Sequence, residues 1–187
     1  MNVYDFDETI YDGDSTVDFY KYCLRRRPYI IFRFPFWTAL RFVLDSRKKL
    51  QFKERFYRFL RAFDDIDSEV LRFWDGHEKN IKRWYLENHR PDDVVISASP
   101  EFLLRPVCKR LKIPVLMASV VDKKTGLYSG ENCWGKEKVR RFYERFENGK
   151  IDSFYSDSYS DAPLAEIAEK AFIVSGEKIT PWDKTES

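Results

Sequence analysis

Residues 2–9, with the sequence NVYDFDET, join a short apolar run to two aspartates that stand two positions apart. The run from residue 2 to residue 6 predicts a short buried strand. Asp5 and Asp7 then fall at the carboxyl end of that strand, which is the edge where open parallel sheets bind their ligands. The stretch therefore predicts the first strand of a parallel sheet and a pair of carboxylates at its ligand-binding edge.

Beyond Pro91, apolar runs of strand length alternate with helical patterns. Such alternation is typical of an α/β fold with a parallel sheet covered by helices on both faces. The predicted strands cover residues 94–97, 114–119, 151–155 and 171–174; the predicted helices cover 100–111, 136–147 and 162–169; a hairpin is predicted over 120–130 and an irregular tail from Ser175.

Residues 14–90 interrupt this alternation with a helical pattern, in which aromatic and basic residues recur at three-to-four spacing. We therefore predict a core formed by residues 1–13 and 91–187, with a helical lobe over 14–90. Between Lys21 and Arg61 there are thirteen Lys or Arg against two acidic residues. This excess predicts either a surface that meets anions or a solvated helical face.

The cellular setting is predicted from cysteine usage and from the amino terminus. The three cysteines are odd in number and match no metal-binding spacing, which favours a reduced, cytoplasmic location. The first apolar segment is short and already carries acidic residues, so it does not resemble a signal peptide.

Further polar groups follow other predicted strands and should meet the first aspartates at the same sheet edge. Ser97 ends the second core strand, Asp157 follows the strand over 151–155, and Lys136 or Lys138 begins the preceding helix. Carboxylates from two loops can hold a hard cation such as Mg²⁺, while a lysine and a hydroxyl can orient phosphate oxygens. The set is suited to phosphoryl transfer, because an aspartate can act as the nucleophile.

These residues, in this order, resemble the haloacid dehalogenase superfamily, in particular its phosphoserine-phosphatase-like branch. The stretch over residues 5–9 resembles the DxDxT signature, Ser97 the strand-end hydroxyl, Lys138 the phosphate-binding lysine, and residues 157–161 the acidic metal motif. The resemblance covers residues 5–161. It implies a Rossmannoid parallel sheet with a small all-helical cap inserted after the first strand.

The resemblance also implies a role for each matching residue. Asp5 would be the nucleophile, and Asp7, which dehalogenases of this fold lack, would be the general acid and base. The implied phosphate-binding residues are Thr9, Ser97, Ala98 and Lys138, and the implied Mg²⁺ ligands are Asp5, Asp7, Asp157 and Asp161. Asp14 occupies about the place where phosphoserine phosphatases carry a substrate-reading glutamate.

Several of these assignments have alternatives within the sequence. Ser99 competes with Ser97, which we prefer because it directly follows the apolar run, and Lys136 competes with Lys138, which we prefer because an apolar periodicity follows it. Asp14 and Asp161 could each serve as a helix N-cap. Glu8 and the Ala98-Ser99 pair depart from phosphoserine phosphatases and weaken that specific assignment.

The resulting functional prediction is a Mg²⁺-dependent phosphomonoesterase acting on a small phosphorylated metabolite. The alternatives are a lipid-phosphate phosphatase that acts on a phospholipid head group at the membrane surface, a phosphotransferase, and a non-catalytic binding module. We expect no nucleic-acid partner. The basic aromatic segment over residues 29–44 could make a peripheral membrane contact or simply pack within the cap, and the sequence leaves the oligomeric state open.

Overall fold

The computed structural model describes residues 1–33 and 55–183, and its secondary-structure elements are numbered here over those residues. Most of the basic aromatic segment over 29–44 lies outside them. The strands are β1 (Asn2–Tyr4), β2 (Val94–Pro100), β3 (Val115–Ser119), β4 (Ile151–Ser156), β5 (Ala168–Ser175) and β6 (Lys178–Pro181). The α-helices are α1 (Ser15–Arg26), α2 (Ile30–Arg33), α3 (Ile66–His77), α4 (Arg83–Asn88), α5 (Glu101–Arg110), α6 (Lys136–Arg145) and α7 (Ala162–Ile167).

The six strands form one sheet in the order β3-β2-β1-β4-β5-β6. The first five are parallel to their neighbours, and β6 alone runs antiparallel to β5. Because β1 is central, its carboxyl end lies between those of β2 and β4. The predicted α/β fold, a parallel sheet flanked by helices, is confirmed.

The carboxyl-terminal part of the sheet differs from the sequence prediction. The helix predicted over 162–169 ends at Ile167, and β5 begins at Ala168 rather than at residue 171, because Ala168 already pairs with Ile151 of β4. The tail predicted to be irregular contains β6. Gly176, with φ +59°, allows the chain to reverse so that β6 can pair with β5.

Side chains from the two faces of the sheet enter two separate apolar clusters. Tyr4 and Val95 point into one cluster, which they share with residues of helices α1, α3, α4 and α5. Val3 and Val94 point into the other, where they join residues of α6 and α7. This alternation follows from the two-residue period of a strand. The three cysteines are buried as free thiols in these clusters.

The described part of the helical lobe shares its apolar cluster with the sheet. Phe19 of α1 and Phe73 of α3 belong to the same cluster as Tyr4 and Val95. The Trp74 indole Nε1 donates a hydrogen bond to the Leu103 carbonyl of α5 at 2.7 Å. Helix α3 is therefore attached to the core through this contact. The division of the chain into a core and a lobe at residues 14 and 90 stays a prediction. Within the described residues, no helix is both long and apolar enough to cross a bilayer.

The hairpin predicted over 120–130 is confirmed, and it packs against the lobe. Val121 and Tyr128 form an antiparallel bridge, and the turn between them is closed by hydrogen bonds to Asp122. At its tip, Gly126 has φ +77° and lies directly against the backbone of Tyr57. A Cβ added at Gly126 would be 2.6 Å from the Tyr57 carbonyl carbon, so only glycine fits this contact.

We therefore expect Gly126→Ala to destabilise the protein through this contact, and Gly130→Ala provides the matched control. Both glycines have positive φ, but nothing lies within 4 Å of a Cβ at Gly130. Each variant should lose about 1 kcal/mol through backbone strain, and Gly126→Ala should lose about 1–3 kcal/mol more through overpacking. Urea unfolding measures both free energies. Equal losses in the two variants would contradict the contact between the hairpin and the lobe.

Candidate active site

Three ionisable side chains from separate parts of the chain meet at the carboxyl end of β1. The Lys138 ammonium lies 3.2 Å from Asp5 Oδ1 and 2.7 Å from Asp161 Oδ2. Lys138 and Asp161 are almost fully buried, whereas the Asp5 side chain is 16% exposed. Lys136, the competing lysine, is exposed. Of the two lysines, Lys138 is thus the one that meets the predicted nucleophile.

A single ammonium serves both carboxylates, and burial together with their mutual charges shifts the pKa values of these groups. Burial raises the pKa of Asp5 to about 7; the charge of Lys138 opposes the rise, and the carboxylates of Asp161 and Asp7 add to it. Burial acts to lower the pKa of Lys138, but Asp5 and Asp161 together raise it above its ordinary value. Lys138 therefore stays protonated, and its positive charge favours the carboxylate form of Asp5 against the effect of burial.

The position of Lys138 is set by the start of α6 and by the contacts that hold this helix against β3. The helix starts after Gly135, which has φ +57°. Glu137 is buried and accepts hydrogen bonds from both Arg140 and Arg141. The hydrogen bond from Arg140, with that from Arg141 adding to it, lowers the pKa of Glu137 to about 2, although burial acts in the opposite direction. Arg141 also donates to the carbonyl of Ala118 at the end of β3, at 2.6 Å.

Asp7 is held at both carboxylate oxygens. Its Oδ1 accepts from the backbone N–H of Ser15 at 2.7 Å, at the start of α1, and its Oδ2 accepts from the Ser99 hydroxyl. Burial, followed by the nearby Asp14 carboxylate, raises the pKa of Asp7 to about 6, although these hydrogen bonds oppose the rise. Asp7 can therefore both release and take up a proton near neutral pH.

The two competing serines lie at the end of β2 and have different contacts. β2 was predicted to end at Ser97, but it continues to Pro100 with a register shift against β3 after Ser97, because Pro100 still pairs with Ser119. Ser97 is buried, and its Oγ accepts from the Ser99 N–H at 3.2 Å. The Ser99 hydroxyl contacts Asp7. Ala98, between the two serines, is half-buried, whereas both serines are buried.

Thr9 and Asp157 tie the loop after β1 to the loop after β4. The Thr9 hydroxyl is buried and accepts from the Asp157 N–H at 3.0 Å. Burial, with the charge of Asp161 adding to it, raises the pKa of Asp157. Asp161 takes the N-cap position of α7 but makes no capping hydrogen bond with its side chain; its Oδ2 accepts from Lys138 and from Ser156.

Asp14 lies close to the site but performs a helix-capping function. Its Oδ1 accepts from the Val17 N–H at 2.9 Å, which satisfies a free donor in the first turn of α1. The predicted N-cap is confirmed. Its charge also acts on Asp7, so Asp14 belongs to the surroundings of the acid pair.

Sequence reasoning missed Lys82, which contacts the loop that follows β1. This lysine is 3% exposed, and its ammonium donates to the backbone carbonyl of Glu8, a non-glycine residue with φ +54°. The backbone N–H of Lys82 also donates to the Ile10 carbonyl at 2.8 Å. No local signal marks Lys82, because it stands among other charged residues of a helical pattern.

The oxygen donors at this edge fit a hard cation such as Mg²⁺. Asp161 Oδ1 is buried and has no hydrogen-bond partner, so it is an acceptor in need of a cation or donor. No group of three Asp, Glu, His or Cys side chains within residues 1–33 and 55–183 could hold a metal by itself. Mg²⁺ suits such a site, since it commonly uses one or two carboxylates together with water and substrate phosphate oxygens.

The site is identified by its converging charges and not by cavity size. A cavity of about 640 Å³ lies elsewhere, between α3, α5 and the residues that begin the hairpin. Its lining includes neither Asp5 nor Asp7. We take the carboxylate cluster as the functional site, because buried ionisable groups with specific charge partners converge there from separate strands and loops.

A comparison with protein families finds one match for this chain. Residues 3–166 match the profile of the haloacid dehalogenase-like hydrolases. This range includes every predicted site residue. No curated protein matches the sequence.

Similar folds occur among solved structures. A protein of unknown function from Bordetella pertussis Tohama I aligns with a TM-score of 0.70 and 19% identity over 91% of this chain and 87% of that one. A phosphoserine phosphohydrolase-like protein from Francisella tularensis gives 0.59 and 15% over 91% and 86%. Cytosolic 5′-nucleotidase IIIB bound to cytidine gives 0.59 and 15% over 90% and 69%. At these identities, the likeness concerns the fold.

The charge imbalance predicts that Asp5→Asn stabilises the metal-free protein as the pH rises. The folded-state pKa of Asp5 exceeds its unfolded value, so ionisation costs wild-type stability progressively between about pH 4 and pH 7. The asparagine amide does not ionise, and the variant should gain about 1–2 kcal/mol over wild type across this interval, after allowance for the lost Lys138 pair.

Chemical unfolding in EDTA at pH 4.5 and pH 8 measures this difference. Asp12→Asn, on the same loop at an exposed position, is the control and should follow the wild type at both pH values. A stability difference for Asp5→Asn that stays constant or shrinks with pH would contradict the proposed balance of charges.

Proposed function

The chain belongs to the haloacid dehalogenase-like hydrolase family, and from that membership we propose that it is a Mg²⁺-dependent phosphomonoesterase with Asp5 as its nucleophile. The observation that carries the proposal is the pair of aspartates in different environments. Asp5 faces the buried Lys138, whereas Asp7 faces a backbone N–H and a hydroxyl. Two carboxyl groups held so differently can divide the roles of nucleophile and acid between them.

In the first step, a carboxylate oxygen of Asp5 attacks phosphorus. An O–P bond to Asp5 forms while the ester P–O bond breaks, and Asp7 gives its proton to the departing oxygen. The alcohol leaves neutral and Asp5 carries an acyl phosphate. Asp7 is suited to this step, because burial raises the pKa of its carboxyl group and it does not share the ammonium of Lys138 that favours the ionised form of Asp5.

In the second step, Asp7 acts as a base. It removes a proton from a water molecule, whose oxygen attacks phosphorus and breaks the bond to Asp5. Inorganic phosphate leaves, and both aspartates return to their starting forms. Transfer to an alcohol instead of water would make the protein a phosphotransferase, through the same first step.

The remaining site residues are proposed to bind the phosphoryl group and the cation. Lys138 and Ser97 would neutralise and orient phosphate oxygens, with Ala98 contributing through its backbone and Thr9 supporting the loop. Asp5, Asp7, Asp157 and Asp161 would hold Mg²⁺ directly or through water. When bound, the cation would offset negative charge on the transferring group. The intact set argues against a non-catalytic binding module.

The substrate proposed is a small phosphorylated metabolite. The similar folds include a phosphoserine phosphatase in complex with its substrate and a 5′-nucleotidase bound to cytidine, and these ligands are small molecules. Asp14 is a candidate for substrate contact from the lobe side, since its charge acts on Asp7 and its side chain is exposed.

A second candidate is a phospholipid head group, and one observation favours it. Phe32 of α2 is 87% exposed and lies five positions after the run of three arginines at residues 25–27; interfacial segments combine exposed aromatic and basic residues in this way. Activity on a panel containing phosphoserine, nucleotides and phosphatidylglycerophosphate in vesicles separates the candidates. Lipid hydrolysis with vesicle co-sedimentation at low salt would support the second, and hydrolysis of soluble esters alone would exclude it.

We predict Mg²⁺-dependent hydrolysis of p-nitrophenyl phosphate that is lost in Asp5→Asn. An amide is a poor nucleophile and cannot form the acyl phosphate, so kcat should fall by at least about a thousandfold. Asp12→Asn should retain wild-type activity. EDTA should abolish the activity of both proteins. Substantial activity in Asp5→Asn would overturn the nucleophile assignment, and an inactive wild type would overturn the phosphatase proposal.

A further inference from the structure

The Ser99 hydroxyl, which sequence reasoning weighed only as a rival phosphate ligand, makes a different contact. It donates to Asp7 Oδ2, and Ser99 is 7% exposed. Its oxygen also lies 3.1 Å from the hydroxyl of Thr16. Because a serine has one hydroxyl proton and Ser99 gives it to Asp7, Thr16 must be the donor to Ser99. The three side chains form a directed chain from Thr16 through Ser99 to Asp7.

Hydrogen bonds to both oxygens hold the carboxylate of Asp7 in one orientation. Its Oδ1 is held by the backbone N–H of Ser15 at 2.7 Å, and its Oδ2 by the Ser99 chain. Ser15 and Thr16 begin α1, whereas Ser99 belongs to β2. The plane of the carboxylate is thus set jointly by the first turn of the lobe and by the strand beside β1.

The chain continues from Thr16 into the lobe. The hydroxyl of Thr16 interacts with the phenol of Tyr57, which is buried. Tyr57 is the residue whose backbone meets Gly126 at the tip of the hairpin. Asp7 is therefore connected through polar side chains to the contact between the lobe and the hairpin.

We propose that Ser99 is a positioning residue for Asp7, held in place by Thr16, and that it does not bind the transferring phosphate. This inference rests on the proposed function, because it concerns the group that protonates the leaving oxygen. Ser97 differs from Ser99, since its hydroxyl oxygen accepts from the Ser99 backbone N–H, a contact that leaves its own proton available to a phosphate oxygen.

The two roles predict different dependence on the leaving group. An acid that is out of position matters most when the departing oxygen is strongly basic, as in phenyl phosphate. It matters least when the oxygen leaves readily as an anion, as in p-nitrophenyl phosphate. Loss of a phosphate ligand should instead slow both esters alike. The parameter to compare is kcat/KM, which reports on the step that expels the leaving group.

The experiment compares Ser99→Ala with Ser97→Ala on these two esters, with wild type and Mg²⁺ present. Ser99→Ala should lose about tenfold more kcat/KM on phenyl phosphate than on p-nitrophenyl phosphate, which is a fraction of what a general acid contributes. Ser97→Ala should lose the same factor on both. Unfolding midpoints of the variants report whether each is folded.

Thr16→Val tests the chain beyond Ser99, because it removes the hydroxyl while keeping the shape. It should show a smaller loss with the same leaving-group pattern, and the double variant with Ser99→Ala should lose no more than Ser99→Ala alone. Equal losses on both esters for Ser99→Ala in an active enzyme would overturn this inference and leave the phosphatase proposal intact. An inactive wild type would overturn the phosphatase proposal and this inference with it.

Discussion

The burial of several carboxyl groups around one ammonium, that of Lys138, is the constraint on which the site depends. Asp5 and Asp161 both lie within ion-pair distance of this lysine, and Asp7 adds a further negative charge nearby. Burying charged groups is costly unless they are paired and hydrogen-bonded. The remaining negative charge makes the site receptive to a cation. Burial, with the charges of Asp161 and Asp7 adding to it, raises the pKa of Asp5.

The rest of the fold holds this cluster at one edge of the sheet. β1 places Asp5, β4 leads to Asp157, and α6 carries Lys138 with Arg141 fastening that helix to β3. The lobe takes part as well. Towards its carboxyl end, Lys82 donates a hydrogen bond to the Glu8 carbonyl in the loop after β1, and at its start the Ser15 N–H donates to Asp7.

The parts that could be predicted from the sequence are those encoded by local patterns. The alternation after Pro91 indicated the α/β fold, and an apolar run followed by Asp5 and Asp7 indicated the position of the acid pair. The start of β5 was predicted wrongly because Ala168-Glu169-Lys170 is a helix-forming composition, whereas its pairing with β4 is a long-range effect. β6 was missed for a similar reason, since a four-residue strand is stable only against its partner.

Contacts between residues that are far apart in the sequence could not be predicted either, because no local pattern encodes them. Ser99 and Asp7 are 92 positions apart, and Lys82 and Glu8 are 74 apart, so no periodicity connects them. From the sequence, Ser97 and Ser99 were alternatives for the phosphate-binding hydroxyl. In the structure, the register of β2 shifts after Ser97, and the two serines have different contacts.

Nucleophilic attack by Asp5 is tested most directly by identifying the phosphorylated residue during turnover. Enzyme mixed with p-nitrophenyl phosphate and Mg²⁺, quenched in acid and digested, can be analysed by peptide mass spectrometry. The proposed mechanism predicts one phosphoryl group on Asp5, removable by hydroxylamine as expected for an acyl phosphate. Phosphorylation at a serine such as Ser97, or turnover with no phosphorylated enzyme at any quench time, would contradict it.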